Sequence, residues 1–186
     1  MTRPRCYVVV LWILFMALTA NGQTRAEDLR RVGANAYSLY RLAEAEQLFR
    51  EALRIAEDNG EHHKAGMDRI ALGEVYHLMG RFTEARRAYE EALPIFKDEQ
   101  HFNEAAIVLA DLASLSVTQQ QYTQAITYLN EATTLLRKIE PAVPQAEPRI
   151  TNAFGMVYFA QKKYDTAEKY FRKAVDIAFA REVVVG

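Results

Sequence analysis

The chain has 186 residues, of which half are hydrophobic and a quarter are charged, so it is long enough for one domain with a sizeable buried core. Its formal net charge of −1 excludes the general positive field that would hold nucleic acid or an anionic membrane. Only eight glycines and five prolines occur, and the balance of the remaining residues favours helix over strand.

The first segment of the chain has the pattern of a secretory signal peptide. Two arginines precede an apolar run at residues 6–18, and the small residues Ala20 and Gly22 follow it. A basic start, an apolar core and a small-residue exit are typical of such signals. We therefore expect residues 1–22 to be cleaved and the protein to be exported, periplasmic or secreted. The alternative is an uncleaved inner-membrane anchor formed by residues 6–20, although a span needs roughly 20 apolar residues.

Residues 23–186 are predicted to form one domain of eight amphipathic helices, because apolar and small residues recur at three- and four-residue steps between short polar breaks. The predicted helices span 26–40, 43–58, 62–79, 83–98, 102–119, 123–139, 146–161 and 165–181. They pair into four helix-turn-helix repeats at about 26–60, 61–100, 101–142 and 143–181. Thr83, Thr123 and Asp165 are the expected N-caps of the second helices in the last three repeats.

Small residues recur in three columns with a period of about 40 residues, which indicates a stack of one supersecondary unit. Two antiparallel helices approach closely only where neither carries a bulky side chain, so we expect these columns to mark helix crossings within and between repeats. The predicted packing residues are Gly33, Gly73, Ala113 and Gly155 in the first column, Ala45, Ala85, Ala125 and Ala167 in the second, and Ala52, Ala92, Ala132 and Ala174 in the third.

The sequence lacks the usual patterns of catalytic and cofactor-binding sites. His62 and His63 are adjacent, but no second group of potential ligands has metal-site spacing, and the HExxH pattern is absent. No glycine-rich phosphate loop or nucleophile elbow occurs either. We therefore predict a protein that is not an enzyme, with no metal, no cofactor and no small-molecule substrate.

The second repeat resembles a tetratricopeptide repeat, and the fourth is nearly as similar. The residues that carry the resemblance in the second repeat are Leu72, Gly73, Glu74, Val75, Tyr76, Gly80, Phe82, Ala85, Tyr89 and Ala92. That family's usual period is about 34 residues, and the longer period here resembles a variant common in exported and multidomain bacterial proteins. The resemblance implies an all-α, right-handed α-solenoid of four helix-turn-helix repeats.

In tetratricopeptide proteins the first helix of each repeat lines a concave groove that holds a protein or peptide. Carried over by register, the groove residues are Arg30, Tyr37, Ile70, Glu74, His77, Ser114, Asn152, Met156 and Phe159. Few of these are charged, which favours a segment anchored by its side chains over capture of a terminal carboxylate. Several of the apolar residues could equally belong to the core between repeats.

The resemblance implies a non-catalytic, exported interaction module or scaffold that binds a protein or peptide of unknown identity. Two alternatives stay open: a membrane-tethered assembly factor, and an accessory subunit of an enzyme or a secretion complex. Repeat arrays usually end in a polar helix that covers the last repeat. Phe179 and the valines that follow lack such a cover, so we expect this edge to dock a partner or a second copy of the chain.

Overall fold

The computed structural model describes residues 24–139 and 146–185. The segment expected to be a signal peptide or an anchor, residues 1–22, lies outside the described residues. Within the two described ranges all regular secondary structure is helical. None of the helices in these ranges has both the length and the apolar character that a membrane crossing requires.

Eight helices follow one another in the described ranges. They are α1 at 24–38, α2 Leu42–Asp58, α3 His62–Leu78, α4 Phe82–Asp98, α5 Phe102–Thr118, α6 Tyr122–Leu136, α7 Glu147–Ala160 and α8 Tyr164–Val185. Each later helix packs against the one before it, and α5 also packs against α7. Every helix end lies close to its predicted position, and the predicted all-α solenoid of helical repeats is confirmed.

A three-residue turn with one left-handed residue joins every pair of consecutive helices except α6 and α7. The left-handed residues are Tyr40, Gly60, Gly80, Gln100, Gln120 and Lys162, with φ between 55° and 74°. The backbone N–H that follows Gly80 donates to the carbonyl of Tyr76 at 2.8 Å, which is the long hydrogen bond of a Schellman motif. Because helices of 17 residues alternate with these turns, two helices and their turns occupy about 40 residues, which is the repeat period of the sequence.

The predicted N-caps are wrong. Helix α4 begins at Phe82, and the residue before it, Arg81, makes no side-chain cap hydrogen bond, so Thr83 is the second helical residue. Thr123 and Asp165 are likewise the second residues of α6 and α8. The Schellman turn returns the chain to helix two residues after the left-handed position, so turn geometry rather than a hydroxyl or carboxylate sets the start of the helix.

The glycines of the first column make room for aromatic rings of the following helix. A Cβ atom added to Gly73 would lie 2.7 Å from Cζ of Tyr89, a separation that real Cβ atoms essentially never show. The equivalent pairs are Gly33 with Phe49 and Gly155 with Phe171. The side chain opposite each of these three glycines is therefore an aromatic ring, which belongs to the residue four positions after the alanine of the second column.

The third repeat has a compensating pair at the same positions. Ala113 stands where the other repeats have glycine, and Leu129 stands where they have an aromatic residue. Both residues are fully buried. A larger residue on the first helix is therefore matched by a narrower one on the second, so that the interhelical space is filled in both cases.

The column alanines lie in the interior of the solenoid. Their exposed fractions are 0–1% for Ala45, Ala52, Ala85, Ala92, Ala125, Ala132 and Ala167, and 7% for Ala174. At these eight positions the helices pack against one another without access to water, and each position carries nothing larger than a methyl group.

We predict that Gly73→Ala destabilises the protein by about 1–3 kcal/mol, because the new methyl group forces the Tyr89 ring out of its position. Tyr89→Leu should offset part of this loss by recreating the alanine–leucine pair of the third repeat. Urea unfolding of both single variants and the double variant measures the coupling between the two sites, expected at about 0.5–3 kcal/mol. Strictly additive free energies of unfolding would contradict this packing.

Candidate functional site

Side chains from three different repeats meet on one face of the solenoid. Arg149 of α7 donates a hydrogen bond to Glu74 of α3 at 2.8 Å and pairs with Asp111 of α5. The second and fourth repeats can touch only on the side toward which the stack curves, so this face is the concave one. We call Tyr37, Glu74, Asp111 and Arg149 the polar centre.

The charge on Arg149 is held by its two carboxylate partners. Burial alone would lower the pKa of Arg149, but the nearby Asp111 and Glu74 carboxylates outweigh this effect and raise it. The guanidinium therefore stays protonated and ties α3, α5 and α7 together. Charge-assisted hydrogen bonds of this kind are stronger than neutral ones.

Asp111 is the most deeply buried member of the polar centre, with 6% of its surface exposed. Burial raises its pKa to about 7, and the charge of Arg149 only partly opposes the rise. Its Oδ1 atom is bonded to Arg149, whereas its Oδ2 atom accepts no hydrogen bond from the described part of the chain. A buried carboxyl oxygen without a hydrogen-bond partner in the described part of the chain thus lies under the concave face, next to a fixed cation.

Tyr37 and Tyr89 lie near the charged groups of Glu74, Asp111 and Arg149. Burial raises the pKa of Tyr37, and the Glu74 carboxylate adds to the effect. Burial also raises the pKa of Tyr89, again with a contribution from Asp111. Both phenols remain neutral at any physiological pH, so they can act as hydrogen-bond donors toward the carboxylates but not as bases.

A second ion pair crosses the concave face between the first two repeats. Arg30 of α1 holds Asp68 of α3 in a bidentate arrangement, with both N–H···O distances at 2.7 Å. Asp68 is 2% exposed, and burial raises its pKa although the hydrogen bond from Arg30 opposes the rise. Such a forked contact fixes the relative position of the two helices.

A cleft of about 280 Å³ opens beside this pair. Its lining is mixed, with aliphatic side chains next to charged ones. The residues that line it are Arg30, Ala34, Tyr37, Phe49, Met67, Asp68, Ala71 and Glu74. The cleft joins the Arg30–Asp68 pair to the polar centre through Tyr37 and Glu74, so the first half of the concave face forms one continuous surface.

The predicted groove residues occupy different environments. Arg30, Tyr37 and Glu74 line the cleft. Ile70 is only 7% exposed and belongs to the hydrophobic core, so it offers almost no surface to a partner. On α3 the cleft is lined by Ala71 instead, one residue further along the chain.

The remaining predicted residues lie on α3, α5 and α7. His77 is half-buried, and its Nε2 atom is 3.2 Å from the hydroxyl of Thr118. Ser114 donates its hydroxyl to the carbonyl of Ala110 at 3.1 Å. Asn152, Met156 and Phe159 are exposed along α7, with 46% of Met156 and 54% of Phe159 open to solvent.

Sequence reasoning missed three members of the concave ion pairs: Asp68, Asp111 and Arg149. Two features of the sequence point to these residues. They are charged residues within apolar helices, and the pairs Arg30–Asp68 and Asp111–Arg149 have the same separation of 38 residues. Since this separation is close to one period, each pair joins neighbouring repeats. A search for opposite charges about one period apart would have included both pairs among its candidates, although it would not have shown which of them form.

The serine hydroxyls near the polar centre, Ser114 and Ser116, donate to carbonyls of their own helix and have no adjacent base among the described residues. Potential metal ligands meet elsewhere, near the first turns of α3 and α5, where His63, His101 and Glu104 come together. The sequence analysis found no second group of ligands with metal-site spacing, because it did not consider residues that neighbouring repeats bring together.

Comparison with known proteins agrees with this architecture. A family model described as tetratricopeptide repeat matches residues 24–98, and a second with the same description matches residues 149–181. Together they span more than half of the chain. A comparison with curated proteins gave no match.

Two solved structures illustrate the likeness of fold. BtubC (BKLC) from P. vanneervenii is similar with a TM-score of 0.69 at 20% identity, over 87% of this chain and 66% of that one. Aspartyl phosphate phosphatase F from Bacillus subtilis is similar with a TM-score of 0.70 at 18% identity, over 97% of this chain and 47% of that one. This chain thus spans just under two thirds of the first protein and about half of the second.

We predict that the stabilising contribution of Asp111 decreases as pH rises from 4 to 7. The folded protein keeps the Asp111 proton up to about pH 7, whereas an unfolded chain releases it near 3.8, so the folded state binds more protons in this window. The difference in unfolding free energy between wild type and Asp111→Asn should therefore fall by at most about 1.4 kcal/mol per pH unit.

Chemical unfolding at a series of pH values measures this difference, with the exposed Asp98→Asn as the matched control. A difference that is constant between pH 4 and 7, or that grows with pH, would show that the attraction of Arg149 dominates over burial at Asp111.

Proposed function

Because the chain belongs to the tetratricopeptide-repeat family, we propose that it is a non-catalytic scaffold that binds a segment of a partner protein along its concave face. The observation that carries the proposal is the exposed apolar stripe of Met156 and Phe159 on α7, which shares a helix face with Arg149 of the polar centre. Apolar anchors beside fixed polar groups are what a protein-binding groove requires.

The charges of the concave face favour a partner segment that brings hydrogen-bond donors. Three buried or half-buried carboxylates, of Asp68, Glu74 and Asp111, face only two guanidinium groups, of Arg30 and Arg149. Once Asp111 is ionised, above about pH 7, its Oδ2 atom has capacity for one more donor. A lysine, arginine or amide side chain would satisfy it, whereas a terminal carboxylate would meet like charge.

Apolar side chains at both ends of the concave face would supply the anchoring contacts. Met67 is 43% exposed in the cleft beside Arg30, and Met156 and Phe159 are exposed on α7. Methionine adapts its shape to irregular partners, and aromatic residues provide large contact areas at low entropic cost. The proposed ligand is therefore a segment with apolar residues at its two ends and a donor group between them.

We predict that Phe159→Ser and Met156→Ser weaken partner binding at least tenfold while leaving the helix content unchanged, because both side chains are exposed and remote from the core. Val175→Ser on α8, which removes a side chain that is 51% exposed, is the matched control. Photo-crosslinkers placed at position 156 and at the exposed Arg87 of α4 identify the partner and the face that it contacts.

Crosslinked product from position 156 but not from position 87 supports the concave face as the binding site. Equal products from both positions, or equal losses in the Phe159 and Val175 variants, would contradict it. A third crosslinker at Phe179, which is 64% exposed near the end of the described chain, tests self-association. A product with the mass of two copies from this position supports docking of a second chain at the last repeat.

We also propose that the protein works outside the cytoplasm, on the strength of the signal-like residues 1–22. Retention of residues 6–20 would instead make it a membrane-tethered assembly factor, and a partner with catalytic activity would make it an accessory subunit. N-terminal sequencing of the protein from its native envelope distinguishes the first two cases. We expect an N-terminus at Gln23; an intact N-terminus would contradict cleavage and favour the anchor.

A further inference from the structure

Two histidines and one glutamate from neighbouring repeats come together away from the polar centre. His63 lies in the first turn of α3, His101 precedes α5, and Glu104 lies in the first turn of α5. One ligand atom from each of the three side chains lies within 4.8 Å of the other two. We propose that this cluster is a binding site for a divalent transition-metal ion, Zn²⁺ in the first instance, that links the second repeat to the third.

The distances suit a metal of this size with little rearrangement. Nε2 of His63 is 3.7 Å from Oε1 of Glu104, and the two imidazole ring centroids are 4.4 Å apart. Ligand atoms around a tetrahedral zinc ion lie about 3.3 Å from one another, given zinc–nitrogen bonds of about 2.0–2.1 Å. Because the three side chains are partly open to solvent, a small shift is enough to complete the site.

The helix ends that carry the ligands are held by the core beneath them. The His63 ring packs edge-on against Phe96, with ring centroids 5.5 Å apart, and Phe96 is fully buried. Phe96 in turn fits against Gly66, where an added Cβ would lie only 2.7 Å from its ring. The backbone N–H of His101 donates to the carbonyl of Phe96 at 2.8 Å. Phe96 thus supports both histidines, His63 through its ring and His101 through its backbone carbonyl.

The surroundings also favour a cation. Oε2 of Glu99 is 3.4 Å from Nε2 of His101, so a further carboxylate lies beside the cluster. The ligand set of two imidazoles and one carboxylate is the one that zinc uses in many sites with a water as fourth ligand. Mg²⁺ and Ca²⁺ prefer oxygen ligands, so the set discriminates against them.

A metal in this position would add a further link between the second and third repeats, beside the packing of α3, α4 and α5. Binding to the folded state alone raises the melting temperature, because the unfolded chain does not hold the three ligands together. At a hundredfold excess of Zn²⁺ over its Kd, the expected increase in Tm is about 5–10 °C. The effect is independent of any partner on the concave face.

The test uses tag-free full-length protein and titrates ZnCl₂ by calorimetry and by thermal unfolding, with MgCl₂ as the ion control. We expect one equivalent of Zn²⁺ to bind and Tm to rise, and we expect His63→Ala and His101→Ala each to weaken binding at least tenfold. Glu104→Gln should weaken it as well. His62→Ala is the matched control, since His62 is exposed beside His63 and lies outside the cluster.

Three outcomes would overturn the proposal: no saturable Zn²⁺ binding by the wild type, unchanged affinity in His63→Ala or His101→Ala, or an equal loss in His62→Ala. Circular dichroism of each variant before titration confirms that its helix content is intact. Absorption spectra with Co²⁺ in place of Zn²⁺ give a second readout, because tetrahedral imidazole ligation produces intense visible bands that the His63 variant should lack.

Discussion

The three-residue turn with its single left-handed residue is the constraint on which the rest of the solenoid depends. It recurs at residues 40, 60, 80, 100, 120 and 162, and only two of these positions carry glycine. A left-handed conformation costs about 1–2 kcal/mol for other residues, yet Tyr40, Gln100 and Gln120 adopt it. Packing of consecutive helices therefore imposes the turn, and the equal lengths of α2 to α5 and of the turns between them keep the period there at about 40 residues.

A fixed period makes residues in equivalent places of adjacent repeats into spatial neighbours. Arg30 with Asp68 and Asp111 with Arg149 are each separated by 38 residues, and His77 meets Thr118 at a separation of 41. The cluster of His63, His101 and Glu104 follows the same rule. In each case one helix supplies a single polar group, and the group acquires a partner only because the neighbouring repeat is stacked at a constant offset.

The contacts on the concave face depend both on this fixed period and on the curvature of the stack. Arg149 contacts Asp111 one repeat away and Glu74 two repeats away, so a single guanidinium group links three repeats. Buried charges contribute little net stability, because desolvation offsets the attraction between them. Their value here lies in fixing the inner surface, since removing an arginine would leave Asp68 or Asp111, both almost fully buried, without a counter-charge.

The amino-acid sequence by itself determined the helices, their pairing and the period, because these depend on local periodicity and on small residues at fixed spacing. The sequence also indicated that a bulky side chain at position 73 would be unfavourable. Only the packing of the helices identified Tyr89 as the residue that such a side chain would meet. Only the tertiary structure decided the burial of Ile70, the ion pairs of Asp68, Asp111 and Arg149, and the meeting of His63 with His101. The physical reason is that these contacts depend on helix rotation and curvature, which are set by the summed packing of all neighbours rather than by any local stretch of residues.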